Sequence, residues 1–357
     1  MAQRNRREIV SGLRSRIAEA IRADGPMPVS LYMLMCLHDP QHGYYATRPA
    51  FNQDFTTAPE TSQVFGELIG LWAAHEWLAM GRPAPCHLIE LGPGRGVMMS
   101  DALRAGASVP GFSDAVRVSL IEASPALRKE QSARLFQREV HHADDLDAVP
   151  YGPSIILANE FLDCLPIRQF VRSGVGWRER QVGLDKSGNL VFGLGTPVAL
   201  PDNVTPTGDE VEAAPALETL AAAIARRLLA HPGRALIVDY GPTDHAPADT
   251  LRAYRSGQQL SPLADPGASD LTADVDFARL VRLCKAQGLG IHGPVPQSDF
   301  LIRLGALQRV DTLSRANPER AQETRAAVNR LVEPGEMGAR FQVLAITSPD
   351  AKTPPAF

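Results

Sequence analysis

Only four cysteines occur in 357 residues, Cys36, Cys86, Cys164 and Cys284, and no two of them share a C-x-x-C spacing. Zinc sites and disulfide frameworks need such paired spacings, so neither is expected and reduced packing cysteines are. Cys164 stands inside a motif described below, yet no partner histidine is in place to make it a nucleophile. The chain has no uncharged apolar run near the ~18 residues of a membrane span, so no span is expected. No segment repeats at a fixed period, which removes solenoids and propellers. Glycine and proline, 29 of each, stay well under the roughly 25% that marks low-complexity disorder. Nor does one sign of charge dominate: 36 Lys and Arg face 40 Asp and Glu, for a net charge of -4. That is no footprint of a general nucleic-acid binder, and no nucleic-acid partner is expected. The adjacent His141 and His142 would point to opposite sides of a strand, so no metal site is expected there.

What remains is a chain long enough for two ordinary domains, or for one large α/β domain with insertions. Residues 1–25 are Arg-rich in the manner of a transit peptide, but Glu8, Glu19 and Asp24 interrupt them. Ile9, Leu13, Ile17 and Ile21 recur at helical spacing, so a folded amphipathic helix is expected. With no signal peptide recognisable, the expected compartment is the cytoplasm. Residues 64–80 (VFGELIGLWAAHEWLAM) are apolar on most faces, as suits a helix buried against a core. Between these helices lies HGYYATRPAFNQDFTTAPETSQ, whose aromatics, threonines and prolines predict a structured loop.

From Cys86 onward the pattern becomes strand, glycine turn, helix. Short apolar runs at 86–91, 115–121, 154–158 and 235–238, with a shorter one around Val140, predict five strands. Ser124-Pro125 opens a helix after the second of them, a cap residue followed by proline at the first helical position. Strands alternating with helices predict an α/β fold, a doubly wound and mainly parallel sheet covered on both faces. Two stretches fall outside the alternation. Residues 168–197 read as β-hairpins (RQFVRS, WRERQVGL, NLVFGL) with turns at Ser173-Gly174 and Lys186-Ser187-Gly188. Residues 241–273 read as a long loop, a length that is usually functional, and Tyr254 and Arg255 within it are candidate substrate contacts. The organisation expected is an N-terminal helical and lid region (1–80) and a first part of the core (81–167). An insertion of hairpins plus a helix (168–232) and a second part of the core (233–357) follow, the latter ending in a strand at 340–346.

The stretch ELGPGRG, residues 90–96, carries the most chemistry. Glycine at alternate positions between a strand and a helix lets a ligand lie against bare backbone, facing helix N–H groups. A dinucleotide fingerprint would need its third glycine at position 97, which is Val97, so a nicotinamide-dependent oxidoreductase is disfavoured. The spacing Gly92, Gly94, Gly96, with Glu90 closing the strand, is similar to the first motif of S-adenosylmethionine-dependent methyltransferases. Glu122 ends the second strand, where a carboxylate can accept hydrogen bonds from both ribose hydroxyls; a charge at a helix N-terminus is the plainer alternative. Asp144 and Asp145 close the third strand, as adenine contacts or as a helix cap. Asn159-Glu160-Phe161-Leu162-Asp163 follows the fourth strand, at the sheet end where ligands sit. A carboxylate there can grip a guanidinium in bidentate fashion, although Glu160 and Asp163 could equally charge the first turn of a helix.

Taken together, several stretches resemble the MidA-like methyltransferases, whose eukaryotic members are mitochondrial complex I assembly factors. They are GYY (43–45), DFTTAPETSQVFGELIGLW (54–72), ELGPGRG, NEFLDCLP (159–166), DYG (239–241), DLTADVDF (270–277) and MGARF (337–341). They run in family order over nearly the whole chain. Departures are Gln53 where the family usually has Gly and Thr57 where Ser is common; residues 180–215 show least resemblance. The resemblance implies a Rossmann-like methyltransferase fold, S-adenosyl-L-methionine as cofactor, and symmetric dimethylation of an arginine. The implied protein substrate is the 49-kDa-type subunit of NADH dehydrogenase, in the bacterial cytoplasm or its counterpart, the mitochondrial matrix.

An arginine, with a pKa above ~12, arrives charged and is a poor nucleophile. One nitrogen must be aligned with the sulfonium methyl, water excluded and a proton let go. Gripping is assigned to Glu160, with Asn159 and Asp163 in support. Glu90, Gly92, Gly94, Gly96, Glu122 and Asp144 are assigned to the cofactor, and Tyr44, Asp54 and Glu60 to a lid. Other readings are a methyltransferase acting on another protein or a small molecule, and a non-catalytic assembly chaperone that binds the cofactor.

Overall fold

The computed structural model describes residues 2–47, 57–202 and 204–357. The chain gathers into two units, one made of Thr56–Leu162, Leu220–Gly241 and Val281–Phe357, the other of Met1–Phe55, Asp163–Thr219 and Pro242–Leu280.

The first of these holds a seven-stranded sheet. Its strands are β1 (Cys86–Leu91), β2 (Val116–Ile121), β3 (Val140–Ala143), β4 (Ser154–Asn159), β5 (Gly233–Tyr240), β6 (Gly290–Pro296) and β7 (Phe341–Thr347). They lie in the order β3-β2-β1-β4-β5-β7-β6, with β7 antiparallel to both neighbours and the other pairs parallel. Alternate residues of these strands, among them Leu88, Val118, Leu120, Ile155, Leu157, Leu236 and Val343, join one apolar cluster. That cluster takes in helices α1 (Gln63–Ala79) and α2 (Val97–Gly106) through Phe65, Trp72, Met99 and Leu103. The residues between them, such as Ile89, Ile156, Ile237 and Leu344, are buried as well. A sheet covered on both faces is why its strands read as unbroken apolar runs. From β1 the chain winds outward through β2 and β3, then returns to β4 on the other side of β1. The carboxyl ends of β1 and β4 therefore flank the switch point at which doubly wound sheets take their ligands.

The other unit is built on a five-stranded antiparallel sheet. Arg168–Ser173, Gly176–Leu184 and Leu190–Val198 form the hairpins expected from the turn residues, and Met27–Pro28 and Glu210–Ala213 complete the sheet. Phe170, Val211, Ala213 and Ala246 form one small apolar cluster in it. The N-terminal helix, Ala2–Asp24, buries Leu13, Ile17 and Ile21 at the spacing that predicted it. Of residues 168–232, the strands belong to this unit and most of the helix Ala216–Ala230 to the other.

One expectation about the second half is corrected, and one strand is added to it. Residues 241–273 are not simply a loop: Arg252–Arg255, Gln258–Leu260 and Asp270–Thr272 pair into a small antiparallel sheet. Ser256 and Gly257 (φ 49 and 72) join the first two, a two-residue turn whose positive φ values match the strand twist. Tyr254 pairs with Gln259 and Asp270 in that sheet, and Arg255 is ion-paired with Asp265. The added strand is β6, whose glycines and prolines resemble those of a loop.

Candidate cofactor and acceptor site

At the end of β1, Glu90 is 3% exposed, and one of its oxygens, Oε2, is buried with no hydrogen-bond partner. Burial pushes its carboxyl up to about 8, opposed in part by the backbone N–H of Met99 in the first turn of α2. Such a carboxyl binds more protons folded than unfolded near neutrality. Its contribution to stability is therefore complete below its ordinary value of 4.5 and is lost as pH rises through about 8. Urea denaturation of the ligand-free chain between these limits should show stability falling with pH, and a flatter profile for Glu90→Gln. Identical slopes in the two proteins would place the titrating carboxyl elsewhere.

The turn that follows runs through Gly92, Gly94 and Gly96 at φ values of 60, 52 and 75. The three glycines do different work. A Cβ on Gly92 would lie 2.6 Å from the Phe161 ring, and one on Gly96 would press on Gln131. A Cβ on Gly94 would meet nothing within 4 Å, so this is the glycine that leaves open space above the turn. Arg95 points from the same turn to Glu130 (2.6 Å) and Glu60 (3.8 Å).

Glu122 directly follows β2. Its Oε1 accepts the backbone N–H of Ser124 (2.8 Å), and its Oε2 accepts from the Gln131 side chain (3.2 Å). Burial raises its pKa, with the Ser124 N–H and Gln131 opposing. Ser124 caps helix α3 (Pro125–Arg134), whose residue Arg128 donates through Nε to the Glu122 carbonyl (2.6 Å) and through Nη2 to Asp144 (2.6 Å). The pair Asp144 and Asp145 is thereby resolved locally. Asp145 accepts the Ala148 N–H at 2.8 Å and caps a turn, whereas Asp144 is exposed and tied through Arg128 to Glu122.

Beyond β4 the backbone does something unusual. Glu160 takes φ +49, the left-handed region that a residue with a long side chain rarely enters. Its N–H donates to the Val238 carbonyl (2.9 Å). Its carboxylate Oε1 accepts the Ala58 N–H and the Asn159 Nδ2, each at 3.0 Å. Ala58 is the first residue of the short helix Ala58–Thr61 that contains Glu60. Asn159 is 8% exposed and its Oδ1 has no partner. Two residues on, Leu162 donates its N–H to the fully buried Asp239 (2.8 Å), so the bend after β4 is braced by β5.

Asp163 and Tyr44 belong to the other unit. There Asp163 accepts the Thr272 hydroxyl (2.9 Å), and Tyr44 is a core residue packed edge-on against Tyr45 at 5.3 Å. Asp54 lies outside the described residues. Among the described residues, no group of three or more His, Cys, Asp or Glu is arranged to hold a metal ion, and no helix is long and apolar enough to cross a membrane. Cys164 is partly buried and is not paired with another cysteine.

The family model for S-adenosyl-L-methionine-dependent methyltransferases matches residues 68–295. A mitochondrial protein of Caenorhabditis elegans named protein arginine methyltransferase NDUFAF7 homolog is 34% identical over 95% of this chain and 87% of its own. Zebrafish (Danio rerio) protein arginine methyltransferase NDUFAF7 is 34% identical over 92% of this chain and 85% of its own. This chain belongs to the MidA-like methyltransferase family. Two crystal structures of a Burkholderia thailandensis protein superpose with TM-scores of 0.82 and 0.83 at 24% and 25% identity. Each covers 98% of this chain and 94% of the other, and the first contains S-adenosyl-homocysteine.

As a MidA-like methyltransferase the chain uses S-adenosyl-L-methionine, and the residues present fit that molecule. Open space lies above Gly94, a buried carboxyl oxygen of Glu90 is left for a donor, and Glu122 sits one strand over. Gln131, Arg128, His142 and Phe161 escaped the reading from sequence. For Gln131 a signal existed: it stands four residues after Leu127, on the inward face of α3, where a polar residue has to be hydrogen-bonded.

Proposed function

We propose that this methyltransferase acts on an arginine, producing symmetric dimethylarginine in the 49-kDa-type subunit of NADH dehydrogenase during assembly of complex I. In this reading the reaction runs in the bacterial cytoplasm, the counterpart of the compartment in which the named eukaryotic relatives are found. The names of those relatives support arginine as acceptor, and one observation carries the assignment of residues. Glu160, strained at φ +49 beside the switch point, has its carboxylate held by two N–H donors. Left-handed non-glycine backbone costs roughly 1–3 kcal/mol and gathers at functional sites, where the surroundings over-determine it.

Bound on the glycine turn, S-adenosyl-L-methionine supplies an electrophilic methyl group on a sulfonium. The chain's residues do the rest. Gly94 lets backbone approach the ligand while Gly92 and Gly96 shape the turn, Glu90 faces its cationic end, and Glu122 accepts from the ribose hydroxyls, with Asp144 next along the sheet. Glu160, oriented by Asn159, grips the guanidinium, fixes which nitrogen faces the methyl carbon, and offsets charge as the proton leaves. Glu60 stands on the short helix whose Ala58 N–H holds the Glu160 carboxylate.

Incubating the chain with labelled cofactor and the reconstituted subunit, followed by tandem mass spectrometry, should find one arginine carrying a methyl on each terminal nitrogen. Transfer to a small molecule but to no arginine overturns the substrate assignment. Binding with no transfer in a single turnover returns the chaperone reading.

A further inference from the structure

We infer that Gln131 is a positioning residue for the cofactor: a buried amide strut that locks the glycine turn and the Glu122 carboxylate to each other. The inference rests on the reading of both as the cofactor site.

Gln131 is 0% exposed, although α3 is otherwise polar. Its Nε2 donates to the Gly94 carbonyl at 2.7 Å and to Glu122 Oε2 at 3.2 Å. Its Oε1 lies 3.0 Å from His142 Nε2, on β3. Both partners of Nε2 are pure acceptors, so the amide can stand only one way round, and His142 must be the donor to Oε1. Gln131 also packs against the turn at Gly96, where a Cβ would lie 3.4 Å from its Cγ. One side chain thus joins the ends of three strands, β1 through Gly94, β2 through Glu122 and β3 through His142. It does so without using the open side of Gly94. By fixing one oxygen of Glu122, the amide presets where that carboxylate presents its remaining lone pairs to a diol. A glycine turn, which has no side chains of its own to hold it, is fixed by the same donor.

The test is calorimetric titration with S-adenosylhomocysteine of wild type, Gln131→Met, Glu122→Ala and the double variant, with melting temperatures and initial rates alongside. Gln131→Met fills the same volume without a donor. It should bind about 10-fold to 30-fold more weakly, since hydrogen bonds to charged groups are among the stronger ones. The KM for S-adenosylmethionine should rise in step while kcat at saturation stays near wild type, a split that a merely structural defect would not give. In the Glu122→Ala background the same substitution should matter clearly less, because half of what the strut holds has gone. Wild-type affinity in Gln131→Met, with Glu122→Ala weakened, overturns the inference alone; wild-type affinity in Glu122→Ala overturns the site reading beneath it. Should Gln131→Met fold poorly, Gln131→Glu keeps the shape and the acceptor for His142 but offers no donor. It should show at least the same loss at pH 8, and unchanged affinity there rejects the strut.

Discussion

Gly94→Val is expected to bind S-adenosylhomocysteine at least about 100-fold more weakly than wild type, a difference of ~2.8 kcal/mol. Among the described residues no heavy atom lies within 4 Å of a Cβ built on Gly94, so the valine side chain enters the space assigned to the ligand. The backbone is at φ +52, and forcing a β-branched residue there costs on the order of 1–2 kcal/mol of left-handed strain. That should lower the melting temperature by only several degrees in a protein of this size. Gly188→Val supplies the matched control. Gly188 also has positive φ (80) and nothing within 4 Å, in a hairpin turn of the other unit. The two variants should lose similar stability, and only Gly94→Val should lose binding. Wild-type affinity in a folded Gly94→Val would remove the ligand from the turn.

The second large effect belongs to Glu160→Gln. Methyl transfer should fall by about 10²–10⁴, the range for losing one positioned acid-base or electrostatic group, while cofactor affinity stays within a few-fold of wild type. The amide is isosteric, and its oxygen can still accept from the Ala58 N–H, so the bend after β4 should persist. What disappears is the negative charge that a guanidinium needs as partner and that offsets the departing proton. A Glu160→Gln chain with a normal rate would mean that the acceptor is gripped by another residue. Loss of binding and transfer together would mean that Glu160 serves the cofactor instead.

The architecture was legible where burial wrote it into composition. The runs at 86–91, 115–121 and 154–158 are apolar because both faces of β1, β2 and β4 are covered, and each is followed by a residue of the candidate site. The hairpins between Arg168 and Val198 were legible from turn chemistry at Gly174 and Gly188, both with positive φ. The three- and four-residue strands within 241–273 were not legible. Arg252–Arg255 and Gln258–Leu260 are too short to establish a period of two, and only the Ser256-Gly257 turn betrayed them. In β6, GIHGPVP bends through a bulge between His292 and Val295, so its glycine and prolines imitate a loop.

At the site, the acidic residues announced themselves by standing at strand ends, but their division of labour did not. Nothing in the pair at 144 and 145 says which aspartate is tied up by the Ala148 N–H and which meets Arg128. That depends on a turn closing after β3. Gln131 was hidden for a related reason. Its spacing from Leu127 within PALRKEQSAR turns it inward, but the hydrogen bonds it makes there reach Gly94 and His142, 37 and 11 residues away.

The strand order β5-β7-β6 governs the sequence in which the sheet can be assembled on the ribosome. Among the described residues β6 pairs with β7 alone, and β5 has one open edge until β7 arrives. Residues 290–296 must therefore wait, unpaired, until residues 341–347 have been synthesised and threaded between two parallel strands. Pairings of such long sequence separation close slowly and leave hydrogen-bonding edges exposed in the meantime. A nascent chain stalled before residue 341 should expose Leu236, Ile237 and Val238 along that edge, which makes β5 the segment a chaperone would find first.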